Sequence, residues 1–151
     1  MLADRRRTML TRLAISVGAL AVLATGADHL QQYTANQFST VPTIGTLFLL
    51  NFIAATVVGV GLLLTLGRVT KRFADQLRAL LAMSGVGIAG TSLVSLWISE
   101  SSSLFGFSEH GYRPAIVAAI VAEAIAIAAL TVYLALADVR LPRPLARVSE
   151  P

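Results

Sequence analysis

Two polar side chains interrupt long apolar runs, Glu123 and Asn51. Glu123 lies about nine residues into its run, near mid-membrane at about 1.5 Å of helix rise per residue. A charged carboxylate at that depth costs about 2.5–3.5 kcal/mol on insertion scales, and desolvation favours the neutral acid. Ala119, Ala122 and Ala126 border it, an unusually small flank that places it on a packed face and not toward lipid. Asn51 sits about ten residues into its own run, at similar depth, so a direct Asn51–Glu123 hydrogen bond is expected. One chemistry for the pair is a proton, cation or small-solute site at the bundle centre, as in a proton- or cation-coupled carrier. The other is a protonated acid that ties two helices together, a kind of glue worth about 0.6–2 kcal/mol.

A second set falls near the ends of the runs. Asp28-His29 closes the first run and Glu109-His110 precedes the last. Imidazole with carboxylate is a ligand set for zinc or copper. Two histidines from different loops can also hold a haem iron, given a pocket for the ring. His29, His110, Asp28 and Glu109 are therefore the metal or haem redox candidates. No HxxxH or HxxE pair accompanies them, and the chain has no cysteine. Polar caps at a membrane boundary account for the same residues without a metal.

Two further patterns suggest chemistry. Gly85-Val86-Gly87-Ile88-Ala89-Gly90 spells GxGxxG, but a dinucleotide fingerprint needs a preceding strand and a βαβ unit. Inside an apolar helix the same residues permit close backbone approach. Ser84, Gly87, Thr91 and Ser95 continue that stripe at spacings of three and four. Ser99 and Ser101 to Ser103 supply hydroxyls, but a nucleophile needs a positioned base. An HExxH pair is absent, so the chain reads as non-enzymatic.

The elements that hold these residues follow from composition. The chain has 151 residues, 56% hydrophobic and 13% charged, with mean hydropathy +0.75. A soluble domain carries about 25% charge. The composition excludes disorder and a disulfide scaffold. Four apolar runs stand out: Met9 to Ala27, Val41 to Leu66, Ala79 to Ile98 and Ala115 to Ala137. Crossing a hydrocarbon core about 30 Å thick takes about 20 residues of helix. Each run is that long, and barrel alternation is lacking. The expected fold is all-α, one domain over 1–151, a bundle of four transmembrane helices.

The cationic residues give direction. Arg5, Arg6, Arg7 and Arg12 open the first run; Arg68, Lys71, Arg72 and Arg78 lie between the second and third; Arg140, Arg143 and Arg147 follow the fourth. Of the twelve lysines and arginines only Arg113 falls on the other side. Cationic loops stay cytoplasmic, so both termini are expected inside a bacterial cell membrane. The net charge of +4 is thereby assigned to topology and anionic lipid, not to nucleic acid. A competing reading takes residues 1–27 as a signal peptide, with Thr25-Gly26-Ala27 as a small-residue cleavage site.

Phe38, Phe48, Trp97, Leu104 to Phe107 and Tyr112 are expected to form an aromatic belt at the outer interface. The outer loops, Asp28 to Thr40 and Ser99 to Arg113, are short enough to roof only a shallow pocket. Leu141 to Pro151 holds three prolines and reads as an irregular tail.

His29, Tyr33, Val41-Pro42-Thr43-Ile44-Gly45 and Leu47-Phe48-Leu49-Leu50-Asn51 carry a resemblance. The stretch over roughly residues 26 to 64 resembles small four-span membrane proteins of actinobacterial type. That resemblance implies an architecture and no activity or site. The leading expectation is a small integral membrane protein that packs with itself or with a larger membrane complex. It would use Ser84, Gly87, Thr91, Ala119, Ala122 and Ala126.

Overall fold

The computed structural model describes residues 2–64, 71–108, 111 and 113–137. Glu109, His110, Tyr112, Arg68 and the tail from 138 onward lie outside the described residues, as do the side chains of Lys71 and Arg72. Four helices follow in order: α1 (Leu2–Thr34), α2 (Ile44–Leu64), α3 (Lys71–Ser101) and α4 (Pro114–Leu136). All four are long and apolar enough to cross a membrane. The protein is an all-α, four-helix integral membrane bundle, as the composition and run lengths imply.

Helix ends follow local chemistry. Pro114 opens α4 in the first turn, where its missing N–H would have no helical partner. Pro42 precedes α2, and Thr43 turns the chain into it at φ 66°. That left-handed conformation is costly for a β-branched residue. Gly45 then sits so close to the Phe38 carbonyl that no side chain fits there. Between α3 and α4, Leu104 and Phe107 exchange both backbone hydrogen bonds, at 2.8 and 2.9 Å. Phe105 and Gly106 between them take φ 51° and 81°. Positive φ at both central residues identifies a type I′ turn.

α1 is longer than the sequence run suggests, 33 residues rather than Met9 to Ala27. At about 1.5 Å per residue it spans about 50 Å and overshoots the hydrocarbon at both ends. Its first turns carry exposed arginines. In its last turns one face, with Thr25, His29 and Gln32, is buried. α1 packs most extensively on α2 and α4.

Small residues set these contacts. A Cβ on Gly59 of α2 would meet Leu23 and come within 3.1 Å of the Ala19 carbonyl. Gly26 of α1 faces Ala55 and Phe52. Gly18 of α1 and Gly85 of α3 both receive Leu130 of α4. Helices in lipid gain no hydrophobic drive from meeting one another, so such close van der Waals contact must hold them. Outward lie Leu20, Leu50, Val57, Leu80, Trp97 and Val121, all more than half exposed. Apolar surface around the whole girth suits lipid and not water.

The described cationic residues sort by end. Arg7 donates to the Leu136 carbonyl at 3.1 Å, so the start of α1 lies beside the end of α4. Arg78, paired with Asp75 at 3.1 Å, belongs to the same end. Arg113 is at the opposite end, where the cavity described next opens.

Candidate ligand site

A cavity of about 190 Å³ lies among all four helices at the Arg113 end. The type I′ turn and the single 3-10 turn at Phe38–Thr40 complete its wall. α1 supplies Asp28, His29 and Gln32; α2 supplies Asn51; α4 supplies Glu123. From α3 come Ser92, Ser95 and Ser99 at spacings of three and four, one face of a helix.

Asp28 and His29 were expected in a loop closing the first span. They lie instead in the continuing helix α1, and His29 is buried. Its imidazole is held at both nitrogens. Nδ1 is 2.9 Å from the Thr25 carbonyl oxygen one turn earlier. A carbonyl can only accept, so Nδ1 carries the proton. Nε2 of the neutral ring is then an acceptor, and the Ser92 hydroxyl at 3.2 Å donates to it. The ring also meets Phe48 edge-on at 5.2 Å.

Ser92 and Glu123 both line the cavity, from α3 and α4. The hydrogen-bonded run among the described residues is Ser92 to His29 to the Thr25 carbonyl, across α3 and α1.

The expected Asn51–Glu123 hydrogen bond is not made. Both side chains line the cavity, yet Asn51 Oδ1 and Glu123 Oε1 are buried with no hydrogen-bond partner. Glu123 is 1% exposed. Asn51 comes from the opposite wall, and the space between the helices keeps the pair apart. Each residue thus brings a buried, unpartnered oxygen to the lining of one cavity. Leaving such groups unsatisfied costs about 1–3 kcal/mol each.

Asp28 is oriented separately. Asn36 donates to Gln32 Oε1 at 2.6 Å, which leaves the Gln32 amide N–H for the Asp28 carboxyl. The mouth is aromatic. Phe38 meets Phe48 at 5.0 Å and Phe107 at 5.4 Å, both edge-on. The Arg113 guanidinium lies over the Phe38 ring at 5.9 Å, a cation–π contact. Of the expected belt, Phe38, Phe48 and Phe107 therefore line the cavity, and Trp97 and Phe105 face outward.

The small-residue set divides. Ala119 and Ala126 are buried, whereas Ala122 and Ser84 are half-buried. Gly87 and Thr91 are exposed, and a Cβ on Gly87 or Gly90 would meet nothing within 4 Å. In the GxGxxG stretch, Gly85 is the glycine in close contact within the bundle. Of the metal candidates, Asp28 and His29 are neighbours at the cavity, while His110 and Glu109 fall outside the described residues. Among the described residues no three His, Asp or Glu converge as a metal would need.

Ser92 was not among the residues singled out from sequence. Of the stripe through Ser84, Gly87, Thr91 and Ser95, Thr91 and Ser95 line the cavity, and Ser84 and Gly87 do not. The spacing Ser92, Ser95, Ser99 was a usable signal for the cavity-lining face. Comparison with protein-family models, with curated proteins and with solved structures gives no match, so function has to be read from the chemistry of this cavity.

Proposed function

We propose that this small integral membrane protein is a proton-linked carrier of a small solute, with Glu123 and Asn51 as the site. The observation that carries this reading is the pair of buried acceptors without donors on the walls of one cavity. A carboxyl that deep must be neutralised, either by a proton or by a ligand bearing donors. Both compete for the same oxygens, and that competition is a coupling free energy between proton and solute. His29, on the wall of the same cavity, offers the displaced proton an acceptor. In this reading the chain sits in a bacterial cell membrane with both termini cytoplasmic, because the cationic residues gather at one end. The cavity then opens on the outer side.

The test is proton movement in proteoliposomes holding a pH dye. 2-Phenylethylammonium, phenylacetate and 2-phenylethanol are added in turn, with protein-free and Glu123→Gln vesicles as baselines. One solute class should move protons faster across wild-type vesicles than across either baseline. Equal rates in wild type and variant for all three would rule the carrier out.

A second reading has one observation of its own. Gly87 and Gly90 leave an open strip on the outer face of α3. A helix of another copy or of a larger complex can approach closely there. That assembly role is compatible with the cavity.

A further inference from the structure

We propose that the cavity binds a small primary amine in its ammonium form, the N–H groups donating to Glu123 Oε1 and Asn51 Oδ1 and the apolar body lying against Phe38 and Phe48. This assignment rests on the reading of the cavity as a solute site and names the solute's chemistry.

Three features select that class. The vacant polar positions are acceptors: Glu123 Oε1 and Asn51 Oδ1 have no donor. The ligand must therefore bring N–H or O–H groups, and an ammonium brings three. Charge gives the next discrimination. Among the described residues, the ionisable groups facing the space are Asp28 and His29 from α1, Glu123 from α4 and Arg113 before α4; the polar groups from α2 and α3 are neutral Asn51, Thr91 and serines. His29 is neutral, its one ring proton given to the Thr25 carbonyl and its Nε2 accepting from Ser92. Arg113 sits at the mouth over Phe38. The interior thus has two carboxyls and one shielded cation at its rim, which favours a cation over an anion. A buried carboxylate also needs such a counter-charge more than it needs a neutral donor.

Size and shape complete the argument. Apolar cavities of about 150 Å³ accept benzene. A space of about 190 Å³ takes one ring-sized body and a short polar arm. Phe38, Phe48 and Phe107, with Leu96 and Ile116, provide apolar surface in the same cavity. An ammonium whose carbon arm reaches past Phe48 places its head at Glu123 and its ring under the aromatic mouth.

The test is calorimetric titration of the detergent-solubilised full chain with four probes of nearly one shape. They are 2-phenylethylammonium, its N,N,N-trimethyl derivative, phenylacetate and 2-phenylethanol. 2-Phenylethylammonium should saturate one site and bind roughly tenfold or more tightly than the other three. Glu123→Gln and Asn51→Leu should each weaken it by about tenfold. The probe series is read on wild type, so the result stands even if a variant does not fold. Equal binding of the trimethyl derivative overturns the role of the N–H groups. Tighter binding of phenylacetate or 2-phenylethanol overturns the ammonium class while leaving a solute site. Binding of none, with water satisfying the acceptors, overturns the assignment. Ammonium binding without solute-driven proton movement in vesicles leaves the site in place and removes the carrier reading instead.

Discussion

The Ser92 hydroxyl of α3 lies 3.2 Å from Nε2 of His29 on α1, at the cavity that Glu123 of α4 also lines. Ser92 is the donor in that bond, because the one proton of the neutral ring is on Nδ1, facing the Thr25 carbonyl. Ser92→Ala removes that link and leaves His29 Nε2 without its donor. The expected loss is about 1–2 kcal/mol in thermal unfolding in detergent. Ser92→Thr keeps the hydroxyl and should keep most of the stability. Any solute-driven proton movement should fall in the alanine variant and recover in the threonine one. Equal stability and equal proton movement in all three proteins would remove Ser92 from the site.

The glycines separate into two kinds. A Cβ on Gly18 would fall 2.6 Å from Cγ of the fully buried Leu130. Gly18→Ala should therefore cost about 1–3 kcal/mol through overpacking. Gly87→Ala enters open space and should be neutral or stabilise by up to about 1 kcal/mol. Urea or heat unfolding of the two variants side by side checks the ranking. Gly87→Leu and Ala122→Leu then address assembly. If the outer face of α3 docks another helix, Gly87→Leu lowers the oligomer size on a sizing column without unfolding the monomer. An unchanged size retires that interface.

Thr25 buries a hydroxyl with no partner, although its backbone carbonyl accepts from His29. Thr25→Val keeps the shape and the carbonyl and removes only the orphan oxygen. The expected effect lies between zero and about 1 kcal/mol of added stability. A loss of more than about 1 kcal/mol would show that the hydroxyl is satisfied, by water or by a bound molecule.

Sidedness has a clean test, because the chain has no cysteine. Ser39→Cys and Ser102→Cys, both at exposed positions near the cavity mouth, should react with a membrane-impermeant maleimide added to intact cells. Asp75→Cys at the other end should react only after the membrane is opened. The reverse pattern would invert the orientation and place the cavity mouth in the cytoplasm.

The four helices, their rough limits and the grouping of cations at one end were legible from the residues alone. Long apolar runs leave the backbone one way to satisfy itself in lipid, so element type needs no tertiary information. Glu123 and Asn51 were legible as residues of consequence for the same reason, since each is a polar group in a medium that penalises it. Their relation was decided only by packing. Where Gly26 meets Ala55 and Gly18 meets Leu130 sets how α1 lies against α2 and α4, and those crossings leave a cavity where a hydrogen bond was expected. The inward turn of His29, the bond it receives from Ser92, and the aromatic mouth all depend on the rotation of each helix about its axis. In a chain apolar on every face, hydrophobic periodicity carries little information about that rotation. Thr91 and Ser92 both line the cavity, and only the fit of side chains across neighbouring helices settles that Ser92 is the one bonded to His29.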